Sequence, residues 1–134
     1  MNYWLVKSEP VKYSWTKFEE DGKAVWDGVR NYQARNNLRE MKKKDKVLFY
    51  HSNEGMCVVG VAEVIKEHYQ DPTTEDIRWS VVELKPLHSL KPVTLEAIKN
   101  DSLLQNVGLI KQSRLSVMPL KVEEFDRILA LSAD

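Results

Sequence analysis

The sequence predicts an α+β domain built on a small curved barrel of five or six mostly antiparallel strands flanked by helices. Three observations carry that prediction. Short apolar runs rich in Val, Leu and aromatic residues end at turn signals, as strands do. Several of these runs are separated by hairpin-length loops, which join antiparallel neighbours and cannot make parallel connections. Segments with apolar residues at helical spacing lie between them with no repeat or linker, so a single domain over 1–134 is expected.

The elements follow in chain order. Residues 3–7 form an apolar run stopped by Ser8-Glu9-Pro10, a buried first strand ending in a turn. Thr16 with Glu19 reads as a capping box for a short helix over 15–20, closed by Asp21-Gly22. Residues 23–26 are a brief extended piece before the turn signal Asp27-Gly28. Asn31 is a helix N-cap candidate; Ala34, Leu38 and Met41 follow at helical spacing, with Arg35, Arg39 and Lys42 on a neighbouring exposed stripe. Residues 47–51, 56–65 and 79–87 read as three central strands in antiparallel succession, with Gly60 at a bulge and Ser52 to Gly55 as a hairpin loop. Thr94 opens a short helix through Lys99. Residues 115–120 form a last strand near a sheet edge, since Pro119 cannot donate to a ladder. Phe125, Ile128, Leu129 and Leu131 mark a closing helix over 122–131. The first and last strands are expected to close the barrel.

Composition excludes several classes. With 43% hydrophobic and 30% charged residues and only five Gly and five Pro, the chain is neither disordered nor fibrous. A single cysteine, Cys57, excludes an internal disulfide and a cysteine-rich zinc site. No signal peptide and no apolar run of membrane-spanning length is visible, so a cytoplasmic protein with no membrane partner is expected. The net charge is zero but unevenly laid out. Residues 1–46 carry 11 basic and 7 acidic side chains, and residues 47–134 carry 9 and 13. The basic excess centres on Arg30 to Lys46, which suits phosphates or, alternatively, a solvated helix end. Nine of the twelve aromatic residues fall in the first fifty positions, for use as core or as stacking platforms.

No Gly-rich phosphate loop or GxSxG elbow occurs, and His51, His68 and His88 lie far apart. No cofactor and no metal is therefore expected. What remains are polar groups at the ends of apolar runs: Lys7-Ser8-Glu9-Pro10, Gly28-Val29-Arg30-Asn31, Tyr50-His51-Ser52 and Arg114-Leu115-Ser116. In a small barrel the strand ends converge at the mouth, where ligand sites commonly sit.

Five blocks carry a resemblance: YWLVKSEP at 3–10, WDGVRNYQARNNLREMKKKD at 26–45, VLFYHS at 47–52, VVGVAEV at 58–64 and QSRLSVMPL at 112–120. In this order and at these intervals the chain closely resembles the EVE-domain proteins, in their single-domain bacterial form. The resemblance implies a PUA-like fold related to YTH and ASCH domains. It also implies binding of nucleic acid or a nucleobase, with a modified cytosine or adenine as ligand. Two positions depart from the family pattern. Lys44-Asp45 stands where Gly-Asp is usual, at a turn that a lysine tolerates poorly if φ is positive, and Gln70-Asp71 stands where Pro-Asp is frequent. Both positions are expected to lie outside the pocket.

With the resemblance, the scattered strand ends become one pocket. Trp26 is the stacking wall or, alternatively, a pin for its turn; Asn31 pairs with a base edge or serves as an N-cap. Ser8, Ser52 and Ser116 supply short donors, and Lys7, Arg30 and Arg114 meet phosphate or a base carbonyl. Glu9, Pro10, Gly28, Val29 and His51 complete the mouth, while Tyr50 and Leu115 are equally core candidates. Arg35, Arg39 and Lys42 are expected on the nucleic-acid backbone. The alternative is a small amidohydrolase-like enzyme using Glu9 as base, although no second carboxylate or histidine completes a catalytic set. A monomeric binding module for a modified nucleobase is the favoured reading.

Overall fold

The computed structural model describes residues 1–133. Strand β1 (Tyr3–Ser8) leads through α1 (Trp15–Asp21), β2 (Ala24–Val25) and α2 (Tyr32–Glu40) to β3 (Lys46–His51). Two long strands follow, β4 (Cys57–Gln70) and β5 (Ser80–Thr94). Helices α3 (Leu95–Lys99) and α4 (Gly108–Lys111), strand β6 (Val117–Leu120) and helix α5 (Val122–Ala133) complete the chain. The strands form one mixed sheet in the order β2-β5-β4-β3-β1-β6.

The three central strands are antiparallel neighbours in the expected succession. The first strand departs from expectation: β1 pairs parallel with β3, Tyr3 opposite Lys46 through Ser8 opposite His51. Helix, short strand and helix make that crossover, a span long enough for a parallel connection. The near-continuous burial of Trp4 to Val6 and Val47 to Tyr50 fits a parallel pair covered on both faces.

The sheet also does not close into a barrel. Among the described residues β2 contributes only two residues against β5, and β6 pairs only with β1. The β6 edge needs no further strand, because Asn37 Nδ2 of α2 donates to the Val117 carbonyl at 2.7 Å and Pro119 has no N–H to offer. The curvature comes from register shifts along β4 and β5, one of which leaves Val59 unpaired beside Gly60.

Local chemistry explains the helix ends. Helix α1 is capped by Ser14 rather than by a Thr16–Glu19 box: Ser14 Oγ accepts from Lys17 N at 3.0 Å. Glu19 instead accepts from Ser89 Oγ at 3.1 Å. Asn31 and Thr94 cap α2 and α3 as read from sequence, accepting from Ala34 N and Ala97 N. Both long strands outrun their expected ends, and the four-residue α4 has no sequence signal.

Asp45 is the polar pin of the parallel pair. Its buried carboxylate accepts from Asn2 N, Trp4 Nε1 and Lys42 N at 3.0, 3.0 and 2.9 Å. That turn places Lys44 at φ +77° with its side chain in solvent. A β-carbon is strained there, whereas glycine is not. Lys44→Gly is therefore expected to stabilise the protein by about 1 kcal/mol, read as a raised urea midpoint at unchanged m-value. A lowered midpoint would contradict the strained turn.

Candidate functional site

Three segments surround a cavity of about 720 Å³ at the C-terminal end of β1. The end of β1 brings Lys7, Ser8 and Glu9; the stretch from β2 to α2 brings Trp26, Gly28, Val29 and Arg30; the segment before β6 brings Ser116. Lys7 N donates to the Ser116 carbonyl at 2.9 Å and joins two of the segments, while Trp26 N donates to the Val82 carbonyl at 2.8 Å and ties the third to β5.

Trp26 is 8% exposed. Its ring meets Phe49, Phe18 and Tyr13 edge-on at 5.6, 6.4 and 6.4 Å, so the cavity wall is continuous with the aromatic core. Among the described residues its Nε1 has no hydrogen-bond partner, yet it is not sealed from solvent. Lys7 donates to the Ser113 carbonyl at 2.7 Å and, among the described residues, has no carboxylate within ion-pair distance; burial lowers its pKa below the ordinary lysine value. A partly buried ammonium without a counter-charge suits an acceptor on a ligand.

The other polar groups are partly committed. Ser8 Oγ donates to the Tyr13 carbonyl at 2.5 Å. Glu9 pairs with Lys12 at 3.1 Å and accepts from Asn53 Nδ2. Arg30 is held on three sides: it pairs with Asp71 at 2.9 Å, donates to its neighbour's carbonyl, and lies over the Trp79 ring at 5.5 Å. Trp79 in turn stacks on Tyr32 at 5.2 Å, and Arg35 lies over Tyr32 at 5.1 Å. This series of guanidinium and aromatic contacts fixes one wall of the cavity.

Sequence reasoning missed residues that complete the site. Tyr13 lines the cavity and donates to Asp21 Oδ2 at 2.9 Å; burial and that carboxylate push its phenol pKa up, so it remains a neutral donor. Asp71 does not line the cavity, in keeping with the expectation, but its fully buried carboxylate supports two residues that do: it accepts from Gly28 N at 3.0 Å and from Arg30, as well as from Thr73 N at 2.8 Å and Thr73 Oγ1 at 2.6 Å. Gly28 has φ +75°, and its N–H is turned onto that carboxylate.

Other expected site residues lie elsewhere. Asn31, Arg114 and Leu115 border a second recess; Asn31 spends its oxygen on Ala34 N at 2.9 Å, and Leu115 is buried. Tyr50 is core, its phenol pushed up to about 12 by burial and by Cys57. His51 Nε2 accepts from Trp15 N at 3.0 Å, which requires a neutral ring, and burial lowers its pKa accordingly. Ser52 N donates to the Ser8 carbonyl at 2.9 Å, and Pro10 does not line the cavity. The basic stripe on α2, expected to be free, is largely engaged. Arg35 and Arg39 both donate to the Arg78 carbonyl, at 3.2 and 3.0 Å, and Arg39 also reaches Ser80 Oγ at 2.9 Å. They dock the β4–β5 loop, while Lys42 stands 3.9 Å from Glu67. Among the described residues no three His, Cys, Asp or Glu side chains come together to hold a metal ion, and no helix is long and apolar enough to cross a membrane.

The fold and cavity define the class: a small α+β domain with an aromatic-walled recess at the C-terminal end of β1, lined by charged side chains of both signs. The chain belongs to the EVE-domain family, whose profile matches residues 2–131. It is 38% identical to mouse thymocyte nuclear protein 1 over 97% of this chain and 73% of that one. A crystal structure of an Agrobacterium tumefaciens protein superposes with a TM-score of 0.97 at 43% identity, covering 98% of this chain and 93% of the other. The human THYN1 protein in complex with 5-methylcytosine-containing DNA superposes with a TM-score of 0.92 at 32% identity, covering 100% and 99%. A Zygosaccharomyces rouxii YTH domain in complex with N6-methyladenosine RNA, at 18% identity and a TM-score of 0.62 over 97% and 85% of the chains, shares the fold.

Proposed function

We propose that the protein is a binding module that takes a nucleobase, a modified base of DNA or RNA, into the cavity walled by Trp26. The observation that carries the reading is the set of N–H donors on the Lys7 ammonium, which meets one backbone carbonyl but, among the described residues, no counter-charge, beside the Trp26 ring in a recess large enough for a base. A cytosine edge offers O2 and N3 as acceptors to such donors and an exocyclic amine to a carboxylate such as Glu9. The DNA complex of the human relative supports the same ligand class. An oligonucleotide could present the base unstacked, at a cost of a few kcal/mol that stacking and hydrogen bonds inside the pocket offset. The hydrolase alternative is the weaker one, because Glu9 is engaged by Lys12 and Asn53 and Asp21 by Tyr13 and Lys17.

The test is a titration of wild type and variants with 5-methylcytosine-containing and unmodified oligonucleotides, the mixtures also being assayed for turnover. Trp26→Ala is expected to lose about one to two decades of affinity, the worth of roughly 1–3 kcal/mol of base stacking. Because Trp26 also packs in the core, Lys7→Met serves as a second variant, expected to lose about tenfold with an unaltered melting transition. Wild-type affinity in both variants would remove the base-binding reading. Product that disappears in Glu9→Gln would establish the hydrolase instead.

A further inference from the structure

The second recess, of about 370 Å³, lies between the start of α2 and the segment from Lys111 to Leu115. Arg114 and Lys111 line it together with the amides of Gln33 and Gln112. Among the described residues neither cation has a carboxylate within 4 Å, whereas Lys12, Lys17, Arg30, Lys42, Lys46 and Arg78 all do. The recess adjoins the main cavity through one short stretch of chain: the Ser113 carbonyl receives the Lys7 ammonium, and Ser116 lines the cavity itself. Arg35 and Arg39, two further arginines without a carboxylate, are spent on the β4–β5 loop.

We propose that this recess is a phosphodiester site, in which Arg114 and Lys111 hold the backbone of the same strand whose base enters the Trp26 cavity. This rests on the base-binding reading for the cavity but makes a separate claim about where the strand runs. Two unpaired cations beside neutral amide donors suit an oxyanion that is singly charged and spread over two oxygens. The same chemistry could be met by free phosphate, so the source is part of the test.

The experiment compares wild type with Lys111→Gln/Arg114→Gln, both positions being exposed so that the fold is spared. Three probes are used: 5-methyl-2′-deoxycytidine, a short single-stranded oligonucleotide containing that base, and inorganic phosphate as competitor. The double variant is expected to bind the oligonucleotide about tenfold more weakly at low salt. The slope of log affinity against log salt should fall by about 0.7 for each phosphate that the variant no longer neutralises. Nucleoside affinity should be unchanged, and millimolar phosphate should not displace the oligonucleotide. An unchanged salt slope in the double variant overturns the proposal, as does an equal loss for nucleoside and oligonucleotide or displacement by phosphate alone. Failure of the wild type to bind nucleoside would count against the cavity reading only, because the salt slope on the oligonucleotide still reports the recess.

Discussion

Gly60→Ala is expected to destabilise the protein by about 3 kcal/mol or more, the upper range for overpacking a core. The backbone at Gly60 is not the obstacle; the space above it is. An added methyl would fall into the indole of Trp15, 2.5 Å from its Cε2 and closer still to Cζ2 and Cη2. The ring cannot easily yield. Its Nε1 donates to Ser89 Oγ at 2.9 Å, its faces and edges meet Phe49 at 5.2 Å and Phe18 at 5.5 Å, and its backbone N–H is held by His51. Either Trp15 leaves a buried site, losing apolar burial and a hydrogen bond together, or β4 shifts away from α1. A urea melt reads the loss, and repeating the substitution in a Trp15→Leu background should recover most of it, since the two positions are coupled by contact. An unaltered midpoint for Gly60→Ala alone would refute the packing described.

Asp71→Ala is expected to cost about 3 kcal/mol, from the three Gly28 and Thr73 donors stripped of their acceptor, and to weaken ligand binding as well. Burial by itself would push this carboxyl up, but hydrogen bonds from Thr73, Arg30 and Gly28 outweigh it and hold the group well below the usual carboxylate range. Truncation leaves the Gly28 and Thr73 donors without their acceptor; both residues are exposed, so water replaces it in part and each loss falls near the low end of about 1–3 kcal/mol. Arg30 is 39% exposed in its side chain and can rehydrate, so its share is small as well. The functional loss follows because Gly28 and Arg30 form one lip of the cavity. The pH dependence has a definite sign. A depressed carboxyl binds its proton in the unfolded chain first, so its contribution is complete above about pH 4 and is lost as pH falls toward the folded value. The acid limb of a stability–pH curve should therefore be shallower in Asp71→Asn than in wild type. Parallel curves would show that the carboxylate is not held as described.

Much of the local structure is legible in the sequence. The apolar runs of β1, β3, β4 and β5, the caps Asn31 and Thr94, and the irregularity beside Gly60 follow from side-chain period, capping chemistry and turn residues within a few positions of one another. The resemblance carried by YWLVKSEP, WDGVRN and QSRLSV brings Lys7, Trp26, Arg30 and Ser116 into one expectation, and the structure places all four on one cavity. Capping at α1 is not legible, since Thr16 and Glu19 satisfy the capping-box spacing and only the position of Ser89 shows why Glu19 is used elsewhere.

Partnership across long stretches of chain is decided only by the tertiary structure. An apolar run states that a strand is buried, not whether its neighbour runs parallel, so the β1–β3 pairing and the failure of the sheet to close cannot be read from pattern, although Pro119 does mark β6 as an edge strand. Nor does an aspartate after a strand announce that it will meet the N–H of Gly28 and the guanidinium of Arg30, far earlier in the chain, as Asp71 does. The division of the expected mouth into a cavity at Trp26 and a recess at Arg114 has the same origin. Period and capping are interactions among neighbours in sequence, whereas strand pairing and the satisfaction of buried charge are settled by groups that meet only when the chain has folded.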